Sequence, residues 1–468
     1  MTTTTSTMRP VPVDAFPTLT SSTQAETEKI LLEHVSDPDK PPTLHKNLHM
    51  QFLVRALAQG LPARYSSQDA SQPWLLYWTL QAFSVLQVGL DPGNKQKAID
   101  TLLACQDPEG GFGGGPKQTP HLLPTYAAVC SLAIVGRPGE GGGWDDIDRE
   151  KMYKFFMSLK QPDGSFLVSK HSEVDVRGIY CLLVVATLLD IITPELVEGT
   201  AAFIASCQTY EGGFSSASQP YYTASSVLLD SPRPALGEAH GGYTFCALAS
   251  WVLLRPFLPS TSTQPTIDKK ALVRWLVQMQ GIPIELGGFK GRTNKLVDGC
   301  YSWWVGGAFG LLESIGVDPS VFGGGPAAGE WEDVDDSLLN RRALQEYVLC
   351  AGQHPAGGLR DKPPKSADLY HTLYCLAGLS AAQHKVIPSP MRRQQLVDAW
   401  TGEGVLRREV FLEALCFTEE EGTETIVGGA ANRVNATHPI FNLTVTHSDA
   451  IMGHFYKQTI PPRATRPV

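Results

Sequence analysis

The stretch KLVDGCYSWW, residues 295–304, brings side chains of very different chemistry together within one turn. The carboxylate of Asp298 stands two residues before the thiol of Cys300, and His371 follows in a later segment, ADLYHTLYC. These three side chains could give oxygen, sulfur and nitrogen ligands to one zinc ion, leaving the fourth position open as catalytic zinc requires. The pattern is weak alone, because a lone histidine on a helix is more often a hydrogen-bonded polar residue than a ligand.

Cationic and polar side chains near this stretch could bind an anion that carries two or more phosphates. The loop GFKGRTNK runs directly into Asp298 and Cys300, and guanidinium and ammonium groups hold phosphates by charge and by N–H donors. The alternative is a solvated loop, but its position beside the candidate metal ligands favours a functional interpretation. The candidate anion ligands are His240, Arg292, Lys295 and Tyr301.

Aromatic side chains could line a deep apolar cavity, although ordinary core packing explains any one of them equally well. They are Trp74, Trp78, Tyr180, Tyr243, Trp304 and Tyr370. The sequence contains no GxGxxG, P-loop or HExxH motif. It also lacks the DDxxD and DxDD acid clusters that a terpene synthase or triterpene cyclase would use to ionise a diphosphate, which disfavours that class of enzyme.

Composition limits the class of protein further. The 468 residues are 18% charged and 43% hydrophobic, with a net charge of −9, which argues against a general nucleic-acid binder. Nine cysteines without a CxxC pair indicate reduced thiols, and therefore a cytoplasmic protein. The longest apolar stretch, YCLLVVATLLDII, is too short to span a bilayer and includes Asp190, so no transmembrane segment is expected.

An internal repeat predicts the fold that must position these side chains. Each repeat has an amphipathic helical pattern, a glycine-containing turn and a more apolar helical pattern. With an earlier pair at 48–59 and 73–86 that lacks the glycine turn, six helical hairpins result. Because the inner helices are apolar on every side, closure into an all-α α/α toroid is favoured over an open solenoid. The turn segments are CQDPEGGF (105–112), KQPDGSF (160–166), CQTYEGGF (207–214), MQGIPIELGGF (279–289) and GQHPAGGL (352–359).

The predicted domain organisation is simple. Residues 1–44, rich in Thr, Ser and Pro, are expected to form a disordered tail, and 461–468 a C-terminal tail. A single barrel is expected to occupy 45–460. Its loop insertions are assigned to 217–236, 257–266, 323–336 and 402–437.

Several motifs, taken in order, resemble the β subunits of protein farnesyltransferases. They are ASQPWLLYWTL, EVDVRGIYC, GEAHGGYTFC, GGFKGRTNKLVDGCYSWW and LRDKPPKSADLYHTLYCLAGLS. The resemblance implies an α/α toroid partnered by an α subunit. It also implies transfer of farnesyl from farnesyl diphosphate to the cysteine of a C-terminal CaaX motif, in substrates such as Ras-type GTPases.

The resemblance also implies roles for individual residues. Asp298, Cys300 and His371 would hold zinc, with Asp368 behind the histidine, and Asp361 would hold magnesium near the diphosphate. His240, Arg292, Lys295 and Tyr301 would bind the diphosphate, and Trp74, Trp78 and Tyr370 would shape the peptide pocket. The isoprenoid-contacting residues would be Arg177, Tyr180, Gly241, Gly242, Tyr243, Cys246, Thr293, Asn294, Ser302, Trp303 and Trp304.

Two alternatives remain open at this point. The β subunit of a type I protein geranylgeranyltransferase would have the same fold. A helical-repeat scaffold without chemistry is a different class, but a scaffold has no need to combine DxC, RTNK and YH at one rim. The N-terminal tail, the insertions 217–236 and 323–336 and most of 402–468 depart from the family pattern, so the resemblance does not assign the surface that contacts the α subunit.

Overall fold

The computed structural model describes residues 16–35, 40–219, 233–258, 264–317 and 338–463, which are mostly helical. The helices are α1 (Leu19–Leu32), α2 (Lys46–Ala58), α3 (Gln72–Val85), α4 (Pro92–Leu103), α5 (Leu122–Val135), α6 (Arg149–Leu159), α7 (Val176–Leu188), α8 (Pro194–Val197), α9 (Thr200–Ser206), α10 (Gly241–Leu254), α11 (Lys269–Gln278), α12 (Tyr301–Trp304), α13 (Phe309–Leu312), α14 (Arg341–Glu346), α15 (Leu369–Gln383), α16 (Pro390–Ala399), α17 (Val405–Leu415) and α18 (Val445–Tyr456). Two short antiparallel pairs join β1 (Ala217–Ser218) to β2 (Ala235–Leu236) and β3 (Val386–Pro388) to β4 (Phe417–Glu419).

Six inner helical segments form a closed ring. Helices α3, α5, α7, α10, α12 and α15 pack each against the next, and α15 packs back against α3. The outer layer consists of α2, α4, α6, α9, α11 and α14, each preceding its inner partner in the chain. The inner helices are buried on nearly every face, as their apolar sequences require. The prediction of an α/α toroid built from six hairpins is confirmed.

The glycine-containing turns share one hydrogen-bonding plan. A backbone bridge joins Gln106 to Phe112, and the same bridge recurs between Gln208 and Phe214. In both repeats the Phe N–H donates to a threonine hydroxyl in the first turn of the inner helix, at 2.9 Å. Gly212 has a φ of +112°, and a Cβ there would lie 2.1 Å from a carbonyl oxygen of α11. These glycines lie in the turn itself, because the preceding helices end several residues earlier.

Polar residues begin four inner helices at the same rim. His121, Asp175, His240 and Asp368 are the N-caps of α5, α7, α10 and α15, and each side chain accepts a hydrogen bond from a backbone N–H in the first turn. Such caps satisfy N–H groups that a helix cannot bond internally. The rim is therefore lined with polar side chains whose orientation is fixed by the helix starts.

The opposite end of the ring is filled by the segment 435–443. It enters at the carboxyl ends of the inner helices, where the Asn435 N–H donates to the Val85 carbonyl at 2.9 Å. The hydroxyls of three tyrosines on successive inner helices donate to three consecutive carbonyls of this segment. These bonds are Tyr77 to Asn442 at 2.9 Å, Tyr126 to Phe441 at 3.0 Å and Tyr180 to Ile440 at 2.8 Å.

The fifth inner helix is broken into short pieces. Residues 301–315 form α12, a 3₁₀ turn over Gly306–Ala308, α13 and a second 3₁₀ turn. Gly306, Gly307 and Gly310 lower the helix propensity of this stretch, which permits a break there without by itself causing one. The last outer helix, α14, likewise continues as a π-helical segment over Tyr347–Gly352.

The prediction of a disordered N-terminal tail is wrong where the structure describes that segment. Helix α1 lies within 1–44, begins with a capping box between Thr18 and Ser21, and buries Leu31 completely. Thr and Ser made this segment look disordered, but both are good helix N-caps. In the C-terminal tail, Arg463 pairs with Asp449 at 2.6 Å. Residues 1–15 and 464–468 lie outside the described residues.

The predicted insertions differ in nature. The assignment of 402–437 to a loop is wrong, because the segment contains α17 and β4, and Phe411 of α17 is buried. The ends of 217–236 form the pair β1 and β2, and 257–266 begins at the end of a 3₁₀ turn. Residues 220–232, 259–263 and 323–336 lie outside the described residues. None of the helices described is both long and apolar enough to cross a bilayer.

Candidate active site

The structure brings Asp298, Cys300 and His371 together at the polar rim. One ligand atom from each lies within 4.8 Å of the others. Asp298 and Cys300 lie just before the start of α12, where the Cys300 N–H donates to the Asp298 carboxylate at 2.9 Å. His371 stands in the first turn of α15, and its Nε2 lies 3.2 Å from Asp298 Oδ1.

This group has the donor set of a zinc site. Zinc bonds of about 2.0–2.3 Å place tetrahedral ligand atoms roughly 3.5 Å apart, so small side-chain rotations would close the site. The thiol is 4% exposed, and imidazole, carboxylate and thiolate are all common zinc ligands. Three protein ligands leave room for a fourth from a substrate. The residues present therefore fit a zinc ion.

Charge interactions inside the group are strong. Burial disfavours the charged form of His371, but hydrogen bonds with Asp298 and Asp368 outweigh it and raise the pKa of His371 to about 10. Burial, and then the negative charge of Asp298, raise the pKa of the Cys300 thiol well above its usual range. A bound divalent cation would reverse both preferences, because it binds neutral imidazole and thiolate.

The loop that carries Asp361 is tied directly to the candidate metal group. The Asp361 carbonyl accepts hydrogen bonds from the Gly299 N–H at 2.7 Å and from the Tyr347 hydroxyl at 2.9 Å. Its carboxylate pairs with the buried ammonium of Lys362. Burial, and then the charge of Asp298, raise the pKa of Asp361. A cation near both carboxylates would relieve their repulsion.

His240 and Tyr301 form the centre of a second polar group. The Tyr301 hydroxyl lies 3.1 Å from His240 Nε2, while His240 Nδ1 accepts from the Gly242 N–H at 3.0 Å. Burial, followed by the positive charges of Arg292 and Arg177, lowers the pKa of His240 to about 4. The ring is therefore neutral at pH 7, with its proton on Nε2.

Two glycines allow this close packing. A Cβ on Gly291 would lie 1.9 Å from Tyr301 Cζ, and a Cβ on Gly241 would lie 2.9 Å from Tyr301 Cδ1. The backbone of the two segments also joins there, because the Gly241 N–H donates to the Gly291 carbonyl at 2.8 Å. The loop 291–295 is thus fixed against the start of α10.

The four residues of the RTNK loop have different surroundings. Arg292 pairs with Glu238, and the Thr293 hydroxyl donates to Glu211 at 2.7 Å. Asn294 has a φ of +60°, in the left-handed region, and Lys295 is exposed. The loop thus presents one cation bound to an acid and one cation in solvent.

Arg177 connects this polar group to the start of α7. Its guanidinium lies 5.3 Å from the centre of the Tyr243 ring, which in turn lies 4.7 Å from the His240 ring. Asp175 orients the guanidinium through hydrogen bonds of 2.7–3.1 Å. Arg177, Tyr243 and His240 therefore occupy neighbouring positions along the rim.

The inner helices contribute a continuous row of aromatic rings. Ring centres 4.5–5.7 Å apart connect Trp74, Trp78, Tyr77, Tyr126, Tyr180, Phe245, Trp304, Tyr374 and Tyr370. The Trp304 indole N–H donates to the Tyr370 hydroxyl at 2.9 Å. Cys246 is buried on α10. This row lies between the candidate metal group and the segment 435–443.

Ser302 and Trp303, two residues of the YSWW stretch, make packing contacts outside the aromatic row. Ser302 packs against Gly378 of α15, where an added Cβ would lie 2.2 Å from the serine Cβ. Trp303 contacts Phe245 and also lines a separate cavity of about 710 Å³ beside Phe309. The structure does not bring the Ser302 side chain into the aromatic row.

Several side chains contribute to the site that the sequence patterns did not predict. Tyr77, Tyr126, Phe245 and Tyr374 belong to the aromatic row, and Glu238 contacts Arg292, one of the candidate anion ligands. Aligning the repeats would have found Tyr126, because TYAAVC and GIYC occupy equivalent positions at the starts of α5 and α7. The role of Glu238 had no signal beyond its place in the GEAHGGY motif.

Comparison with known proteins establishes first the class to which the fold belongs. A family model described as prenyltransferase alpha-alpha toroid domain matches residues 44–443. A solved structure of Candida albicans protein geranylgeranyltransferase-I complexed with GGPP superposes with a TM-score of 0.59. It covers 88% of this chain and 99% of that chain at 19% identity, which is a likeness of fold alone.

Sequence relatives narrow the class. The protein farnesyltransferase subunit beta of Pyricularia oryzae is 38% identical, covering 80% of this chain and 71% of its own. That of Schizosaccharomyces pombe is 37% identical, covering 76% and 83%. The geranylgeranyl transferase type-1 subunit beta of Arabidopsis thaliana is more distant, at 27% identity with 78% and 92% covered. The chain belongs to the protein farnesyltransferase β-subunit family of prenyl-transferring enzymes.

Proposed function

We propose that this chain, together with an α subunit, transfers the farnesyl group of farnesyl diphosphate to the cysteine of a C-terminal CaaX motif. The observation that carries this proposal is the meeting, at one rim, of a zinc donor set, a cationic loop and an aromatic row. Each feature alone can be explained by structure without function, but a reaction between a thiol and a prenyl diphosphate needs all three. Substrates such as Ras-type GTPases have this C-terminal motif.

The reaction forms one bond and breaks another. The thiolate sulfur of the substrate attacks C1 of the farnesyl group, and the C1–O bond breaks with its electron pair leaving on the diphosphate. His240, Tyr301, Arg292 and Lys295 would bind that diphosphate and stabilise its growing charge. Because His240 holds its proton on Nε2 and donates to Tyr301, the tyrosine O–H can turn to a diphosphate oxygen.

Asp298, Cys300 and His371 would hold zinc, which when bound keeps the substrate thiol as a thiolate at neutral pH. Asp368 would orient His371 from behind through its 2.7 Å hydrogen bond. The carboxylate of Asp361 would hold magnesium, whose charge offsets that of the diphosphate.

The remaining assignments rest on the family motifs, and the aromatic row and the rim are compatible with them. Arg177, Tyr180, Tyr243, Cys246 and Trp304 would line the farnesyl cavity, along with parts of the HGGY and RTNK segments, namely Gly241, Gly242, Thr293 and Asn294. Trp74, Trp78 and Tyr370 would shape the pocket for the aliphatic CaaX residues. Ser302 and Trp303 would complete the isoprenoid-contacting set, and their side chains also serve the packing described above. All nine cysteines are free thiols, which supports a cytoplasmic location.

A transfer assay tests the proposal. The chain is co-expressed with a candidate α subunit and supplied with a CaaX peptide and either the 15-carbon or the 20-carbon diphosphate. We expect a thioether product with preference for the 15-carbon donor. A preference for the 20-carbon donor would support the geranylgeranyltransferase alternative, and no transfer from either donor would contradict the proposal.

A further inference from the structure

Arg292, one of the proposed diphosphate ligands, is paired with a neighbouring acid. Its guanidinium contacts the carboxylate of Glu238, and the two side chains are 36% and 48% exposed. Lys295 follows three residues later in the same loop and makes no ion pair with the residues that the structure describes. The acid therefore selects Arg292 and leaves the other cation of the loop in solvent.

The position of Glu238 is fixed by the surrounding backbone. It lies two residues before His240, the N-cap of α10, and the start of that helix is bonded to Gly291. Glu211 supports the same region, because it accepts from the Ala239 N–H at 3.3 Å and from the Thr293 hydroxyl at 2.7 Å. Glu238 is thus held beside the loop rather than reaching it by chance from a flexible segment.

A carboxylate and a phosphate bind a guanidinium through the same planar pair of N–H donors. Exposed ion pairs are weak, so an anion of higher charge can displace such a carboxylate. We propose that Glu238 is the resting partner of Arg292, displaced when the diphosphate binds and restored when inorganic diphosphate leaves. Glu238 then sets the minimum charge that a ligand needs to occupy the site. This inference rests on the proposed function, because the diphosphate is its ligand.

The test measures binding of inorganic pyrophosphate and of inorganic phosphate to the α/β complex by calorimetry at low salt. Glu238→Gln keeps the shape of the side chain and removes its charge. We expect it to bind pyrophosphate about 2–5-fold more tightly, the size of one exposed ion pair. We also expect the ratio of the affinities for pyrophosphate and phosphate to be smaller in Glu238→Gln than in the wild type. Glu173→Gln removes a carboxylate from the loop before α7, where no pair with Arg292 exists, and should change affinity less than about twofold.

A double-mutant cycle with Arg292→Gln isolates the pair. In that background, Glu238→Gln should change pyrophosphate binding no more than Glu173→Gln does. A gain that persists without Arg292, or an equal gain from Glu173→Gln, would show general repulsion and overturn the inference. If the wild type binds pyrophosphate and Glu238→Gln binds it with the same affinity, the inference about Glu238 is overturned but the proposed function is not. Absence of pyrophosphate binding by the wild type overturns the proposed diphosphate site as well.

Discussion

His371 Nδ1 lies 2.7 Å from Oδ2 of Asp368, the residue whose Oδ1 also caps the helix on which His371 stands. One carboxylate thus fixes both the start of α15 and the orientation of the imidazole ring. The ring presents its Nε2 toward Asp298, at 3.2 Å. An imidazole held in this way needs little reorganisation to bind a metal ion.

Asp368→Asn should lower zinc affinity about 10–100-fold, the usual effect of losing a carboxylate behind a ligating histidine. Asparagine is as good an N-cap as aspartate, so the thermal unfolding temperature should hardly change. Competition with a chelator measures the affinity, and circular dichroism measures the unfolding. Asp175→Asn, the equivalent cap of α7, is the matched control and should bind zinc like the wild type. Equal zinc affinity of the wild type and Asp368→Asn would contradict the positioning role.

Cys300→Ala and His371→Ala should lose zinc and transfer activity together while keeping the helical fold. Each leaves only two protein ligands, too few for tight zinc binding. Elemental analysis of the purified complexes gives the zinc content, and far-ultraviolet circular dichroism gives the fold. Cys375→Ala, which changes a buried thiol one turn after His371, is the control and should retain zinc. Full zinc occupancy in both ligand variants would show that the metal binds elsewhere.

Trp304→Thr should open the aromatic row and raise use of the 20-carbon donor by about tenfold or more, because a steric clash can exceed the effect of one methylene. The indole packs 4.5 Å from the Tyr374 ring, so its removal leaves space inside the toroid. Trp304→Phe is the matched control: it loses the hydrogen bond to Tyr370 but keeps most of the bulk. Competition between the two donors measures the preference. If Trp304→Phe gains the longer donor equally, the hydrogen bond rather than the volume sets the chain length.

Asp361→Ala should need more magnesium than the wild type for the same transfer rate, with zinc content unchanged. The contacts of Gly299 and Tyr347 are to the Asp361 carbonyl, so the substitution leaves them in place. Asp361→Lys should be largely independent of magnesium, because a fixed ammonium can replace the charge of the ion. A magnesium titration of the three proteins decides between these outcomes. Superimposable curves would exclude Asp361 from magnesium binding.

The segment 435–443 should become a site of acid sensitivity. His438 donates from Nε2 to the Ala414 carbonyl and accepts at Nδ1 from the Ile440 N–H, so only the neutral ring fits. Burial lowers the pKa of His438 to about 3. Its contribution to stability is therefore complete above pH 6.5, the usual pKa of histidine in an unfolded chain, and is lost as the pH falls toward 3.

Urea unfolding between pH 7.5 and 5 measures this contribution. As the pH is lowered, the free energy of unfolding should decrease more steeply in the wild type than in His438→Gln. The difference between the two slopes should be about 1.4 kcal/mol for each pH unit well below 6.5. His447→Gln serves for comparison, because burial also lowers the pKa of His447, to about 4. Equal slopes in the wild type and His438→Gln would assign the acid sensitivity to other groups.

The sequence allowed the toroid to be predicted because its signals repeat. A Gln followed by glycines and usually Phe marks each turn, and apolar patterns on both sides mark the helices. Asp298, Cys300 and His371 could be placed at one rim for the same reason, since the repeat determines which helix ends are neighbours. Helices that lie outside the repeats had no repeated sequence signal to predict them. Helix α1 was hidden by its Thr and Ser content, and α17 lay in a segment assigned to a loop.

Contacts between loops were beyond prediction for a different physical reason. The pairing of Glu238 with Arg292 depends on the path of two turns whose backbone is fixed by Gly241 and Gly291. The break in the fifth inner helix depends on how its glycines pack against neighbouring helices. Neither follows from periodicity or propensity, because both are decided by tertiary packing.

The three tyrosine bonds to residues 440–442 have a consequence for traffic through the molecule. A barrel stopped at its lower end has a single mouth, so a lipid donor and a modified peptide must pass through the same opening in opposite directions. Arrival and departure cannot then be independent events. The order in which substrates bind and the product leaves at the rim is therefore constrained by the fold. The constraint comes from the segment 435–443, which contacts none of the proposed diphosphate or metal ligands.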